Sequence, residues 1–270
     1  MKLGILSQKI KTRTNKLFKR PNYGLLLELI RAKFKITDHN SVLGVFWSLI
    51  VPVVMFLAMY LVFRTSFGQG VPAYPFYLLV GIICVNFFAT ATTYIMKIFF
   101  LNRTIVLNSM LPREILILSD MFIHTYKFII ELILCLIISY LYGLFSWGAV
   151  LLLLPLAASY IAFILGIGLI LSLIYCFARD IEHIWAIASR LLYFVTPIFY
   201  TLDKISPLAR KIIYWGNPLT PFLVSFRGIL MGQNSTGVFT YMYSLLLGAG
   251  FFIIGYSVFL VLENMGVERT

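Results

Sequence analysis

Long apolar runs constrain this chain more than any other feature. They cover about Leu43–Phe63, Phe76–Met96, Ile115–Tyr142, Ala149–Phe177, Ile184–Tyr200 and Phe239–Leu262. A helix needs about 20 apolar residues to cross a hydrocarbon core about 30 Å thick. The runs are continuous rather than alternating blocks of about ten residues, which argues against a membrane β-barrel. The expected fold is an all-α integral membrane protein with six transmembrane helices and no room for a large soluble domain. Composition agrees, with 61% hydrophobic and 12% charged residues, against about 45–50% and about 25% in soluble domains.

The segments between the runs set the organisation. Residues 1–21 form a basic tail with Lys2, Lys9, Lys11, Arg13, Lys16, Lys19 and Arg20 and no acid, closed by Pro21. Residues 22–40 hold an amphipathic helix from Tyr23 to Ile36, with Tyr23, Leu26, Leu27, Ile30 and Phe34 near one face. At about 1.5 Å per residue it is too short to span, so it is expected to lie in the cytoplasmic interface. Residues 41–270 hold the six spans. The polar stretch Ile98–Arg113 between the second and third spans is expected to be a short helix in a cytoplasmic loop. Both termini are expected to be cytoplasmic, and Lys/Arg residues favour that side. Lys204, Arg210, Lys211 and Arg227 break the rule on the other side.

The stretch Arg179–Gln233 departs most from a simple bundle. A charged turn (Arg179, Asp180, Glu182, His183) leads into the fifth run, which carries Pro197. Two half-length amphipathic pieces follow, Ile205–Trp215 and Leu219–Met231, broken by Gly216, Asn217 and Pro218. A full span, two half-length pieces and a further span suggest a re-entrant outer gate over 201–235. Asn217, Pro218, Arg210, Lys211 and Arg227 belong to it. Its basic groups imply an anionic partner, such as lipid headgroups or a substrate phosphate.

The third run contains Asp120, His124, Lys127 and Glu131, spaced by four, three and four. That spacing puts them on one helical face. Ionisable groups inside a span are expected to face the bundle interior and to pair with each other. Small residues of the fourth run (Ala157, Ala158, Ser159, Gly166, Gly168) permit close helix approach.

Catalytic constellations are absent from the sequence. His39, His124 and His183 are scattered, and there is no Walker A loop, HExxH or GxSxG. Cys84, Cys135 and Cys176 sit in apolar runs without metal-ligand spacing, so neither a disulfide framework nor a zinc site is expected. The net charge of +12 sits mostly in the tail beside a membrane. Anionic lipid accounts for it before nucleic acid does.

Three blocks resemble the permease subunit of type-2 ABC exporters, in the group that exports O-antigen, capsule and teichoic acid polysaccharides. They are RAKFKITDHNSVLGVFW (Arg31–Trp47), MLPREILILS (Met110–Ser119), and the series Arg179-Asp180-Ile181, Thr196-Pro197-Ile198-Phe199-Tyr200, Asn217-Pro218-Leu219, Arg227-Gly228. Glu182-His183 departs from the basic–acidic pair more common there. The resemblance implies a homodimer in the bacterial inner or plasma membrane, flanked by two ATPase subunits. ATP and Mg would bind those subunits, with no cofactor on this chain and no enzymatic activity of its own. Asn102, Arg103, Thr104, Asn108, Arg113 and Glu114 would couple to the ATPase. Arg31, Lys33 and Lys35 would sit where a polyprenyl-linked glycan headgroup enters. Phe46, Trp47, Phe56, Tyr60, Tyr193, Phe194, Phe199 and Tyr200 would line the channel.

Two other functions compete. A type-2 ABC permease for drugs or small lipids shares the fold, but that branch usually lacks the basic block joined to SVLGVFW. A membrane-embedded glycosyl- or acyltransferase would need an open acidic or His site near one interface, which the Asp120–Glu131 stripe does not resemble.

Overall fold

The computed structural model describes residues 20–39, 46–68, 70–103, 105, 112–232 and 237–267, and no strand occurs among them. The helices run α1 (Arg20–His39), α2 (Phe46–Phe67), α3 (Tyr74–Met96), α4 (Ile98–Leu101), α5 (Arg113–Leu141) and α6 (Trp147–Phe177). Then come α7 (Ile181–Val195), a 3-10 turn (Leu202–Lys204), α8 (Pro207–Gly216), α9 (Leu219–Leu230) and α10 (Val238–Val267). By length and composition, α3, α5, α6 and the Val238–Leu262 part of α10 can cross a membrane. The described apolar part of α2, Ile50–Thr65, is shorter. So is α7, at 15 residues.

The core is organised around α3. It is apolar on every side and shows no polar stripe because it is surrounded: α2, α5, α6, α7 and α9 all pack on it. Phe76, Leu78, Ile82, Ile83 and Phe88 are fully buried. Tyr160 of α6 donates its hydroxyl to the Cys84 carbonyl of α3 at 2.9 Å, and its ring packs against Phe222 and Phe226 of α9.

The longest helices, α6 and α10, pack against each other through small residues. A Cβ on Gly166 would strike the Phe251 backbone, one on Gly255 the Gly166 backbone, and one on Gly248 would strike Ser159. The Ser159 hydroxyl reaches the Ser244 and Leu245 carbonyls at 3.1 and 3.2 Å. Backbones approach this closely only without side chains between them.

Three expectations change in the structure. Pro21 lies inside the first turn of α1 rather than closing the tail, where its missing N–H is not needed. The helix of the fifth apolar run, α7, ends at Val195 and not at Tyr200. Thr196, which precedes Pro197, is extended with φ −68° and ψ 136°, as the proline ring demands of its predecessor. The expected loop helix begins as α4 (Ile98–Leu101), Arg103 and Ile105 are again helical, and 104 and 106–111 lie outside the described residues. Finally, α9 is not amphipathic in use: Leu219–Leu223, Ser225–Gly228 and Leu230 are all buried. It inserts among α3, α5, α6 and α10, whereas α8 buries nothing.

Candidate functional site

Two places gather the polar chemistry. The first is a cavity of about 590 Å³ whose one wall is the α5 stripe: Asp120, His124, Lys127 and Glu131. The facing wall is Asn86, Phe87, Thr90 and Tyr94 of α3. Lys33 of α1, Val51 of α2, and Leu101 and Asn102 at the end of α4 complete the lining.

The stripe does face inward, but its members do not pair with each other. Among the described residues no ion pair joins two of them. Asp120 takes Lys33 from α1 instead, with both side chains 18% exposed. The register of α1 on α5 explains this. Phe34, beside Lys33, sets its ring edge-on to Phe122 at 6.3 Å and to Tyr126 at 5.0 Å, which delivers the ammonium to Asp120. The His124 ring lies 4.7 Å from the Tyr94 ring. Arg31 and Lys35 remain exposed on α1. Lys33 is therefore committed inside the protein rather than displayed with them.

The cavity adjoins the expected coupling segment. The Asn102 amide donates to the Ile98 carbonyl at 2.9 Å and closes α4. Arg103 is exposed. Thr104 and Asn108 lie outside the described residues. Arg113 and Glu114 open α5, with Glu114 buried. One link was invisible in the sequence. Lys97, between α3 and α4, pairs with Glu182 at the start of α7. That hydrogen bond holds the Glu182 carboxyl below the ordinary glutamate range. Tyr175 donates to the same carboxylate at 3.3 Å, and the Arg179 guanidinium sits 4.8 Å above the Phe100 ring. The Trp185 indole N–H reaches Thr92 at 3.1 Å. The α4 region and the α6–α7 turn are thus tied together.

The second place is the break after α7. Its four consecutive carbonyls, residues 197–200, are all taken by side chains. The Arg227 guanidinium donates to Pro197 at 2.5 Å and Ile198 at 2.9 Å, and also to Tyr77 of α3 at 3.1 Å. Tyr74 donates to the Phe199 carbonyl at 3.0 Å and Tyr77 to that of Tyr200 at 2.9 Å. Backbone that leaves a helix among apolar neighbours must find such partners. Asn217 completes the join: its amide nitrogen donates to the Thr196 hydroxyl at 2.8 Å and its oxygen accepts from the Leu219 N–H at 3.0 Å. Pro218 starts α9.

Arg227 therefore does not present charge to an anionic partner. It is 4% exposed, lies 3.4 Å from the centre of the Tyr77 ring, and satisfies carbonyls. Gly81 makes room for it, since a Cβ there would press on the guanidinium. Arg210 is also engaged, with Asp203 and the Leu202 carbonyl. Lys211 is exposed beside a cavity of about 420 Å³.

The aromatic residues divide. Phe56 and Tyr60 stack on α2 with centroids 5.7 Å apart. Phe199 is enclosed, with Phe63 at 4.5 Å and Tyr193 at 5.6 Å. Tyr200 turns its hydroxyl back to the Val195 carbonyl at 2.7 Å. The Tyr193 hydroxyl is buried with no hydrogen-bond partner among the described residues. Phe194 is 63% exposed. The side chains of Phe46 and Trp47 lie outside the described residues.

Sequence reasoning missed Asn86, Thr90 and Tyr94 on the facing wall. Asn86 was a detectable signal, as a lone amide in the Phe76–Met96 run.

Residues 25–231 match the family described as ABC-2 type transporter. The chain is 27% identical over 245 residues to the O-antigen export system permease protein RfbA of Klebsiella pneumoniae, covering 88% of this chain and 91% of that one. It is 27% identical over 207 residues to the protein of the same name in Myxococcus xanthus, covering 76% and 80%.

Proposed function

This chain belongs to the ABC-2 type transporter family, and we propose that it is the membrane subunit of an exporter of O-antigen-type polysaccharide. The observation that carries the proposal is similarity along nearly the whole chain to proteins named as O-antigen export permeases. In this reading two copies form the passage in a bacterial inner membrane, with both termini cytoplasmic. Two separate ATPase subunits drive them, and ATP and Mg bind there. The cargo is a glycan on a polyprenyl carrier.

Contacts around α4 support a lever in this reading. The α4 segment continues α3 through a single residue, Lys97, and the Lys97–Glu182 pair joins it to the start of α7. A push on the segment around Asn102–Arg113 would therefore reach both α3 and α7. In this reading α3 holds the outer break through Tyr74 and Tyr77, and α7 runs directly into it at Thr196, which Asn217 holds. Short rigid helices joined by ion pairs and hydrogen bonds pass displacement on.

Co-expression with the candidate ATPase subunit tests this. We expect a complex with two copies of each chain and ATP-dependent export. Deleting residues 102–110 is expected to abolish ATPase binding while the purified chain keeps its helical content and melting temperature. Export by this chain alone, or unchanged ATPase binding after the deletion, would overturn the proposal.

A further inference from the structure

We propose that the cavity beside α8 holds the phosphate of an anionic phospholipid of the leaflet in which α8 lies. The proposal stands on this cavity and its surroundings and does not need the export reading.

Charge is the first observation. Among the described residues, Arg210, Lys211 and Arg227 bring positive charge to the lining of this cavity of about 420 Å³, and Asp203 is its lone carboxylate. Asp203 is already spent on Arg210. Arg227 bonds only to carbonyls, which are dipoles and leave its unit charge uncancelled at the floor. Lys211 makes no hydrogen bond or ion pair among the described residues. The lining therefore keeps an excess of positive charge and favours an anion.

The donors suit a phosphate. Arg210 gives its Nε–H to the Leu202 carbonyl at 2.9 Å and one terminal nitrogen to Asp203. A guanidinium has five N–H groups, so part of the fork is unspent, and the Lys211 ammonium adds three donors. Arg and Lys set side by side on one short helix can share the oxygens of one phosphate through charge-assisted bonds.

The surroundings point to a lipid as the source of that phosphate. Leu208, Ile212 and Trp215 are spaced by four and three, so they share one face of α8, and each is more than half exposed. No residue of α8 is buried against the protein. Lys211 borders this apolar face on the helical wheel. A helix of this pattern lies in the plane of a leaflet, apolar side among the acyl chains and basic groups at the headgroups. The Trp215 ring meets Tyr214 at 5.3 Å, Tyr243 at 5.2 Å and Phe239 at 6.3 Å, an aromatic group of the kind that gathers at headgroup level. The cavity thus opens at the depth of the lipid phosphates. The Tyr214 hydroxyl bonds to Thr240 of α10 at 2.9 Å. A phosphate on Arg210 and Lys211 would set the depth of α8 and complete the anchoring of the α8–α9 hairpin.

Tritiated dioctanoyl phosphatidylglycerol, titrated onto the full chain in dodecyl maltoside micelles with protein-free micelles subtracted, tests the proposal. We expect saturable binding, weakened about tenfold by Lys211→Gln, the loss of roughly one charge-assisted bond. Ile212→Ser should weaken it several-fold through the acyl chain. Arg190→Gln, which removes the same charge from an exposed position on α7, should bind as the parent does. Melting curves establish that each variant folds. Arg210→Gln reads the same site, and the exposed Lys211 keeps the test open if Arg210→Gln unfolds the turn. Binding no greater than to protein-free micelles would overturn the site. Unchanged binding in Lys211→Gln would overturn its location, and an equal loss in Arg190→Gln would reduce it to attraction by net charge. Dioctanoyl phosphatidylcholine binding as tightly would overturn the anionic head. Inorganic phosphate displacing the label at equal concentration, with Ile212→Ser unchanged, would overturn the lipid as source. The assay needs no ATPase, so a failure of the export reading shows separately, as a missing complex.

Discussion

At the residue scale the most consequential side chain is Arg227, a buried cation with no carboxylate beside it among the described residues. Three backbone carbonyls and one aromatic face replace the counter-ion, in keeping with the planar fork of a guanidinium. Arg227→Met keeps most of the volume and removes every bond. It should destabilise the protein by about 2–4 kcal/mol, because the Pro197 and Ile198 carbonyls lose their donor. Thermal unfolding in detergent measures this. Arg227→Lys should recover only part of the loss, since one ammonium cannot serve three carbonyls with the same geometry. The residue was legible in the sequence as a charge out of place, but its role was not. Nothing in a string of letters shows that a helix break 30 residues earlier presents bare carbonyls to it.

At the element scale α1 changes character. The pattern Tyr23, Leu26, Leu27, Ile30 and Phe34 marks an apolar face, and that much is readable from periodicity. What the face covers is not. The helix docks on α5 through Phe34, Phe122 and Tyr126, and the Lys33–Asp120 pair fixes the register. Asp120→Lys should loosen α1 and speed proteolysis within residues 22–36. Adding Lys33→Asp should restore protection, because the half-buried pair reforms with its signs exchanged. Equal proteolysis in the single and double variants would refute the pairing. The break at Val195 was half legible: Pro197 announced it, while its carbonyls find their partners in Tyr74 and Tyr77 of α3, 125 and 123 residues away, and in Arg227 of α9. Likewise, the spacing of Asp120, His124, Lys127 and Glu131 gave the face correctly but not the partners, because a helical wheel shows one element and the neighbours come from α1 and α3.

At the scale of the whole molecule, the apolar runs specify a helical membrane protein directly, while lengths alone do not specify how the C-terminal third is inserted. Residues of α2 and α7 stay largely uncovered in a single chain, with Val54, Leu61, Ile187, Leu191 and Phe194 all more than half exposed. A second copy, as proposed, would cover part of this area. Phe194→Cys in a Cys176→Ser background should therefore form a disulfide between copies under mild oxidation, detected as a dimer on a non-reducing gel. Cys84 and Cys135 are buried and should stay silent. Cross-linking at Leu141→Cys instead would place the interface elsewhere. The clasp at Arg227 has a further consequence for biogenesis. Its acceptors are already made when α9 leaves the ribosome, so the hairpin has a waiting socket and only the last helix remains to follow. A chain severed at the Gly143 turn would divide that lock between its halves, with Tyr77 in one and the guanidinium in the other. Neither fragment would then settle before the two met.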